Sequence, residues 1–443
     1  MAKPFLPGSA VHAAYNAVLA AGLVLGAPAW LPYALSAAKR RRNFLDRLGV
    51  RMDRIPAASG RPRVWIHAVS VGETLSVAAL TRQLKRRDPS VDLLLSTVTI
   101  TGQEAAGKVL GNRIDGRFYF PFDLPPLCGR FLDRVRPDAV AMIETEIWPN
   151  FLAECARRGI PAVLLNGRIS DRSFRRYMRF RFLFGPVLRC LSVIAAQTEE
   201  DARRFRAIGA DAAAVAALGN IKFDVAPPPS DEPSPFLAWL KDRKRAGDLW
   251  FVAGSTHEGE EEAVLAALFA ARSRNGRVRL LLAPRHPERF DAVEGLCVRA
   301  GWGVQRKSRL SGDGDESPIV LLDTVGELLS AYAAADVAFV GGSLVPKGGH
   351  NILEPALHAV PTVIGPHTRN FQEIVSLFAT AGAVAVAKDG EELAARIADW
   401  AEDPDRYAPM GRKGRELLDA FRGAAERSAG IVLSMLRRKA AAP

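Results

Sequence analysis

From Val64 onward, short apolar runs of strand character alternate with segments of helical spacing. In a first half, strands are predicted at Val64 to Ala68, Leu93 to Val98, Arg117 to Phe120, Val140 to Glu144, Ala162 to Asn166 and Val193 to Gln197. In a second half they are predicted at Leu249 to Ala253, Val278 to Ala283, Ile319 to Leu322 and Val337 to Val340. Helical stretches such as Thr74 to Arg87 lie between them, which implies parallel sheets joined by right-handed crossovers. Pro227-Pro228-Pro229, Pro233 and Pro235 form a stiff polar linker between the halves. The predicted class is therefore α/β, with two Rossmann-like domains facing a cleft. They occupy residues 60–226 and 237–425, joined by a linker at 227–236 and followed by a C-terminal helix and tail at 426–443.

The start of the chain follows another pattern. Val11 to Ala38 is nearly uncharged and rich in Ala, Leu and Val, and Lys39-Arg40-Arg41-Arg42 follow at once. A basic cluster in that place resists translocation, which argues against a cleaved signal peptide. A bilayer span takes about 20 apolar residues, and Pro28 and Pro32 interrupt this run. Residues 1–45 are thus expected to be a membrane anchor with its basic flank. The anchor either crosses once with tilt or lies in the interface. In both cases the body of the protein falls on the cytoplasmic face of the membrane.

Composition narrows the class. The 443 residues give room for two domains, and 48% hydrophobic with 24% charged residues describes a globular chain. The net charge of +12 suits an anionic partner: a membrane surface, a phosphorylated substrate or nucleic acid. No nucleic-acid-binding module is visible, so that partner is set aside. Cys128, Cys155, Cys190 and Cys297 are widely spaced and read as reduced, buried thiols. The seven histidines show no ligand spacing, and no metal is expected. Asp313-Gly314-Asp315 resembles a metal-binding D-x-D, but no strand precedes it and a surface loop is the better reading.

Polar residues break the apolar pattern at the strand ends, where ligands of open α/β sheets bind. His67, Ser70 and Glu73 follow the first strand; Glu144 and Glu146 follow another; Lys222 closes the half. In the second half the clusters are Ser255-Thr256-His257, Arg285-His286, Asp323 to Glu327, and G-G-S-L-V-P-K-G-G-H-N-I-L-E-P-A from Gly341. This last stretch reads as strand, glycine-rich turn and helix start, with Leu353 to Val360 as the helix. Its free N–H groups are expected to form an anion site. Glu354, three residues after Asn351, is either a capping partner or an acceptor for ribose hydroxyls. Ser255 and Glu258 form a plausible capping box.

These motifs, taken in order, resemble the Kdo transferases, enzymes that add 3-deoxy-D-manno-octulosonic acid (Kdo) to the lipid A precursor. The matching stretches are H-A-V-S-V-G-E-T at His67, I-E-T-E-I-W-P-N at Ile143, G-N-I-K-F-D at Gly219, G-S-T-H-E-G-E-E at Gly254, P-R-H-P-E-R-F at Pro284 and the Gly341 motif. They run from about residue 60 to 370. The resemblance implies a GT-B fold, a CMP-Kdo donor, the lipid A precursor as acceptor, and inversion at the anomeric carbon. It implies Glu73 as the base, with Glu144 and Lys222 supporting the transition state. It also implies donor binding by Pro284 and Arg285, by Val325, Gly326 and Glu327, and by Asn351, Ile352, Leu353 and Glu354. Val325 stands where methionine is commoner. No cofactor beyond the donor nucleotide is implied. The alternative is another membrane-associated GT-B transferase using a UDP-sugar and a lipid-linked acceptor.

The residues suit such chemistry independently. An inverting transfer needs one base for the attacking hydroxyl. The departing phosphate needs positive partners, which without a metal are helix N-termini, Arg285 and Lys222. A last feature is Asp171 to Phe184, D-R-S-F-R-R-Y-M-R-F-R-F-L-F. As one helix it carries Arg172, Arg175, Arg176 and Arg179 on one face, and Phe174, Tyr177, Met178 and Phe182 on another. It is either an ordinary surface helix or a docking element for an anionic leaflet.

Overall fold

The computed structural model describes residues 9–69, 71–224, 234–245, 247–310 and 317–440. The chain divides into two compact units, Met1–Asp224 with Phe421–Pro443, and Val225–Ala420. Each is built on a seven-stranded parallel sheet.

The first sheet holds β1 (Arg63–His67), β2 (Asp92–Thr97), β3 (Gly116–Tyr119), β4 (Ala139–Ile143), β5 (Ala162–Gly167), β6 (Val193–Ala196) and β7 (Val215–Ala217), in the order β3-β2-β1-β4-β5-β6-β7. Its central strands are buried along their whole length because helices cover both faces. Alternate residues feed two cores. Trp65, Met142 and Leu164 enter one, while Val64, Ile66, Ala141 and Ile143 enter the other. Trp65 is wedged edge-on between Phe118 and Phe151, at 5.1 and 4.9 Å.

The second sheet holds β8 (Leu249–Thr256), β9 (Val278–Pro284), β10 (Val304–Arg306), β11 (Ile319–Leu321), β12 (Val337–Val340), β13 (Thr362–Ile364) and β14 (Ala385–Val386), in the order β10-β11-β9-β8-β12-β13-β14. In both sheets the strand order reverses beside the first strand, between β1 and β4 and between β8 and β12. That reversal opens a crevice at the carboxyl ends, the ligand position of doubly wound folds.

All ten predicted strands are present. The four unpredicted ones, β7, β10, β13 and β14, have two or three residues each and lie at or beside sheet edges. So short a run carries no period to read. The predicted linker at 227–236 lies mostly outside the described residues; its end is the start of a helix, Pro235–Asp242, capped by Ser234. The final helix, Ala424–Ala440, is not a separate tail. Ala425, Ala429, Val432, Leu433 and Leu436 bury one face in the first unit's core. Asp224 starts that helix by accepting the Gly423 and Ala425 N–H groups, each at 2.7 Å.

Eight helices of the first unit matter below: α1 (Ala10–Leu35), α2 (Ala38–Arg47), α3 (Val71–Arg87), α4 (Ile100–Leu110), α5 (Pro125–Val135), α6 (Pro149–Arg157), α7 (Asp171–Arg179) and α8 (Arg181–Leu188). α1 is long and apolar enough to cross a membrane, and none of its residues is buried. The predicted helix at Asp171 to Phe184 is two helices, broken at Phe180. Tyr177 is buried, and Phe174 and Met178 pack against the core, while all four arginines are exposed. The break turns Phe182 outward to 63% exposure, so it is not part of the buried face.

Candidate active site

At the first sheet's crevice, Glu73 stands in the first turn of α3 and is buried. Its Oε2 accepts the Val69 N–H at 2.7 Å, and the helix N-terminus adds a favourable partial charge for an ionised carboxylate. Glu144 leaves β4 with a left-handed backbone, φ 62°, a conformation that concentrates at working sites. Its Oε1 lies 2.8 Å from Lys222 Nζ.

Lys222 is placed by the ends of β5 and β6. Asn166, itself at φ 58°, accepts the Ile221 N–H at 2.9 Å through Oδ1. Asn220 caps the following 3₁₀ turn by accepting the Lys222 N–H at 2.9 Å, and its amide donates to Gln197 Oε1 at 3.0 Å.

Glu146 completes the group. Its Oε2 accepts the Trp148 indole N–H at 2.9 Å and lies 3.9 Å from His67 Nε2. Burial pushes the Glu146 carboxyl up to about 7; the charges of Glu73 and Glu144 push it the same way, against the Trp148 hydrogen bond. Burial lowers His67 to about 3, so its ring is neutral near pH 7. That ring stacks on Phe120 at 3.9 Å, with Nδ1 2.9 Å from Ser96 Oγ. The crevice therefore holds three coupled carboxylates and one ammonium, and Glu146 is the carboxyl suited to carry a proton.

In the second unit, Pro284 ends β9 in a buried position, and the exposed Arg285 donates its backbone N–H to Thr256 O at 2.9 Å. After β11, Val325 is 84% exposed, Gly326 has positive φ, and Glu327 pairs with Lys307 at 2.8 Å. Ile352 and Leu353 are buried. Asn351 Oδ1 accepts the Leu353 N–H at 3.1 Å and its amide donates to Glu354 Oε1 at 3.2 Å, so the two side chains are joined, but the helix takes Ile352 rather than Asn351 as its N-cap and the expected capping pair is not formed. Burial raises the Glu354 pKa, while Asn351 and the Arg285 charge oppose the shift. Arg285 and the Asn351–Glu354 turn thus share one electrostatic neighbourhood.

Residues 43–225 match the family model described as 3-deoxy-D-manno-octulosonic-acid transferase (kdotransferase). The 3-deoxy-D-manno-octulosonic acid transferase of Haemophilus influenzae is 34% identical, over 85% of this chain and 87% of that protein. The chain belongs to the Kdo transferase family. The Bordetella pertussis transferase is 36% identical over the same shares, 85% and 87%. Among solved structures, Acinetobacter baumannii MurG is similar in fold alone, with TM-score 0.52 and 14% identity over 84% of this chain and 99% of that one. This Kdo transferase is accordingly a glycosyltransferase of GT-B type, built from two parallel-sheet α/β domains.

Three expectations change at and around the Gly341 loop. Its N–H groups do not stand free for an anion, because the fully buried Glu260 already fills the nest. The Glu260 carboxylate accepts the N–H groups of His257, Gly342, Ser343 and Leu344 at 2.9, 2.7, 3.0 and 2.9 Å. Gly341 permits this approach, since a Cβ there would sit 2.6 Å from Ser255 O and 2.8 Å from Glu260 Oε2. The same contact displaces the expected Ser255–Glu258 capping box: Ser255 takes φ 57°, and the next helix starts after Glu260. The helix predicted over Leu353 to Val360 stops at Ala356, and the chain turns out of it through Ala359, which takes a left-handed φ of 54°.

Beside the nest, His257 Nε2 and His350 Nε2 are 2.9 Å apart in coplanar rings, with the His286 ring 5.2 Å from that of His257. Burial, then neighbouring cations and histidines, lowers His257 to about 4 and His350 to about 3, so the pair is neutral near pH 7. The motif reading placed both residues at strand ends but not against each other. Among the described residues no group of three or more His, Cys, Asp or Glu side chains is arranged to hold a metal. Asp313, Asp315 and Ser70 lie outside the described residues.

Proposed function

We propose that this transferase moves Kdo from CMP-Kdo to the lipid A precursor with inversion, on the cytoplasmic side of the inner membrane and without a metal or other cofactor. The observation that carries the reading is the first unit's cluster of Glu73, Glu144, Glu146 and Lys222 at the β1–β4 crevice. Glu73 takes the proton of the attacking acceptor hydroxyl as its oxygen bonds to the anomeric carbon. The bond from that carbon to the CMP phosphate breaks, and the phosphate leaves with the electron pair.

Lys222, held against Glu144, supplies positive charge to the transition state. A protonated Glu146 limits the negative charge around Glu73 and spares it for the hydroxyl. In the donor half, Arg285 serves the phosphate and Glu354 the ribose, while Pro284, the Val325-Gly326-Glu327 turn and the Asn351-Ile352-Leu353 segment frame the nucleotide. The Kdo assignment is supported by the relatives named for that transfer, and membrane association by the apolar α1 with its basic flank.

The test is incubation with CMP-Kdo and a lipid A precursor, followed by mass spectrometry, with and without EDTA. The expected product carries added Kdo in both conditions. No product, together with competition by UDP rather than CMP, would favour a UDP-sugar transferase instead. Activity lost in EDTA and restored by magnesium would return Asp313 and Asp315 as metal ligands.

A further inference from the structure

Away from both crevices, the first unit has a cleft of about 360 Å³ between α2, α4 and β3. Its rim carries Lys39, Arg42, Arg51, Arg54 and Arg117 against Asp46 and Glu104. Both acids are already engaged, Asp46 with Arg51 at 2.7 Å and Glu104 with Lys39 at 3.1 Å. Arg42, Arg54 and Arg117 have no carboxylate partner among the described residues, and Phe118, Phe131 and Met52 give the cleft an apolar floor. Three guanidinium groups gathered around one concavity repel each other unless an anion joins them. A phosphate matches their planar, two-pronged donor geometry.

The position of the cleft selects the source of that phosphate. Its rim begins at Lys39, just after the apolar α1 ends at Leu35. α1 is fastened to the body near both ends. Tyr15 donates to Asp123 at 3.0 Å, and Asn16 and Asn150 exchange hydrogen bonds at 3.1 and 2.8 Å. Further along, Trp30 packs on Phe44 of α2 at 5.6 Å. The helix therefore lies along the body, with Val18, Val24 and Leu25 more than 70% exposed, as an interfacial helix does. A basic cleft at the end of such a helix sits at headgroup depth.

We infer that this cleft binds the phosphate of a membrane-lipid headgroup. The site connects to the base through one loop. Ile100 and Gln103 of α4 line the cleft, and Thr99 at the start of α4 donates to Val69 O at 3.1 Å. Val69 in turn donates to Glu73.

The probe is dihexanoyl phosphatidic acid below its micelle concentration, titrated calorimetrically into the full chain. One molecule binds per chain. The R42Q/R54Q/R117Q variant lowers affinity at least about tenfold, the scale expected for losing charge-assisted hydrogen bonds. Should the triple variant fold poorly, R54Q alone serves, because the Arg54 side chain makes no hydrogen bond among the described residues. Unchanged affinity in the folded variant overturns the inference; so does equal affinity of the wild-type protein for inorganic phosphate.

Two further measurements separate the sources. A raised KM for the lipid acceptor with unaltered kcat identifies the substrate's own phosphate. Weakened flotation with phosphatidylglycerol vesicles identifies bulk phospholipid. Neither changing overturns the inference. The calorimetry needs no turnover, so its failure is distinct from failure of the proposed reaction.

Discussion

The crevices at β1–β4 and β8–β12 share a topology but treat charge in opposite ways. In the first, three carboxylates face one ammonium, and burial, helped by the charges of Glu73 and Glu144, raises the Glu146 carboxyl to about 7. In the second, the Gly341 loop is saturated internally by Glu260, and the histidines beside it are kept neutral. Under the proposed function, uncompensated groups at the first unit's strand ends serve proton transfer, and a loop in the second unit that is already rigid before a nucleotide arrives leaves less ordering to binding.

The largest effect that bears on this contrast is expected from Glu73→Ala, which should reduce transfer by about 10² to 10⁴-fold while CMP affinity is retained. A rate above about a tenth of wild type would remove Glu73 from the role of base. Glu260→Ala should act on stability instead. It strands four buried N–H groups and should cost about 3 kcal/mol or more, read as a lower thermal midpoint. A midpoint unchanged by that substitution would mean that the loop does not need its internal anion.

A smaller effect is expected at Arg285 and Glu354. Each change to Ala should weaken CMP binding about tenfold by calorimetry, with folding intact. Unaltered affinity in both would leave the Asn351–Glu354 pair a structural contact only.

The pH dependence sharpens the contrast further. The folded pKa of Glu146 is raised from 4.5 to about 7, so its protonated form contributes stability that is fully present below about 4.5 and lost as pH rises through 7. Glu146→Gln should abolish that loss and flatten the rate profile near pH 7. His67 has the opposite sign. Its pKa falls from 6.5 to about 3, so its contribution is present above 6.5 and lost as pH falls through 3. A Glu146→Gln enzyme whose stability and rate profiles matched wild type across this range would refute the proton assignment.

A separate effect, on membrane affinity rather than on either crevice, is expected on the surface of α7. Replacing Arg172, Arg175, Arg176 and Arg179 by Gln should weaken flotation with anionic liposomes by about 1 kcal/mol per residue. Flotation and acceptor KM at wild-type values, with the anchor deleted, would leave α7 a packed surface helix.

Much of this was legible along the chain. Ten strands announced themselves as short runs of strand character, and Glu73, Glu144, Lys222, Arg285 and Glu354 stood out because polar residues interrupt the pattern at strand ends. Burial and strand-end position are local consequences of residue type and period, so the sequence alone carries them, together with the motif order that marks the family. Other features depend on pairs far apart in the chain. Glu260 and Gly342 are 82 residues apart, and His257 and His350 are 93 apart. The return of the final helix to the first core, the raised Glu146 pKa and the gathering of Arg42, Arg54 and Arg117 around one cleft are of the same kind. Only the folded chain decides which donors meet which acceptors and how much water remains between charges, and those two quantities set both the filled nest and the proton on Glu146.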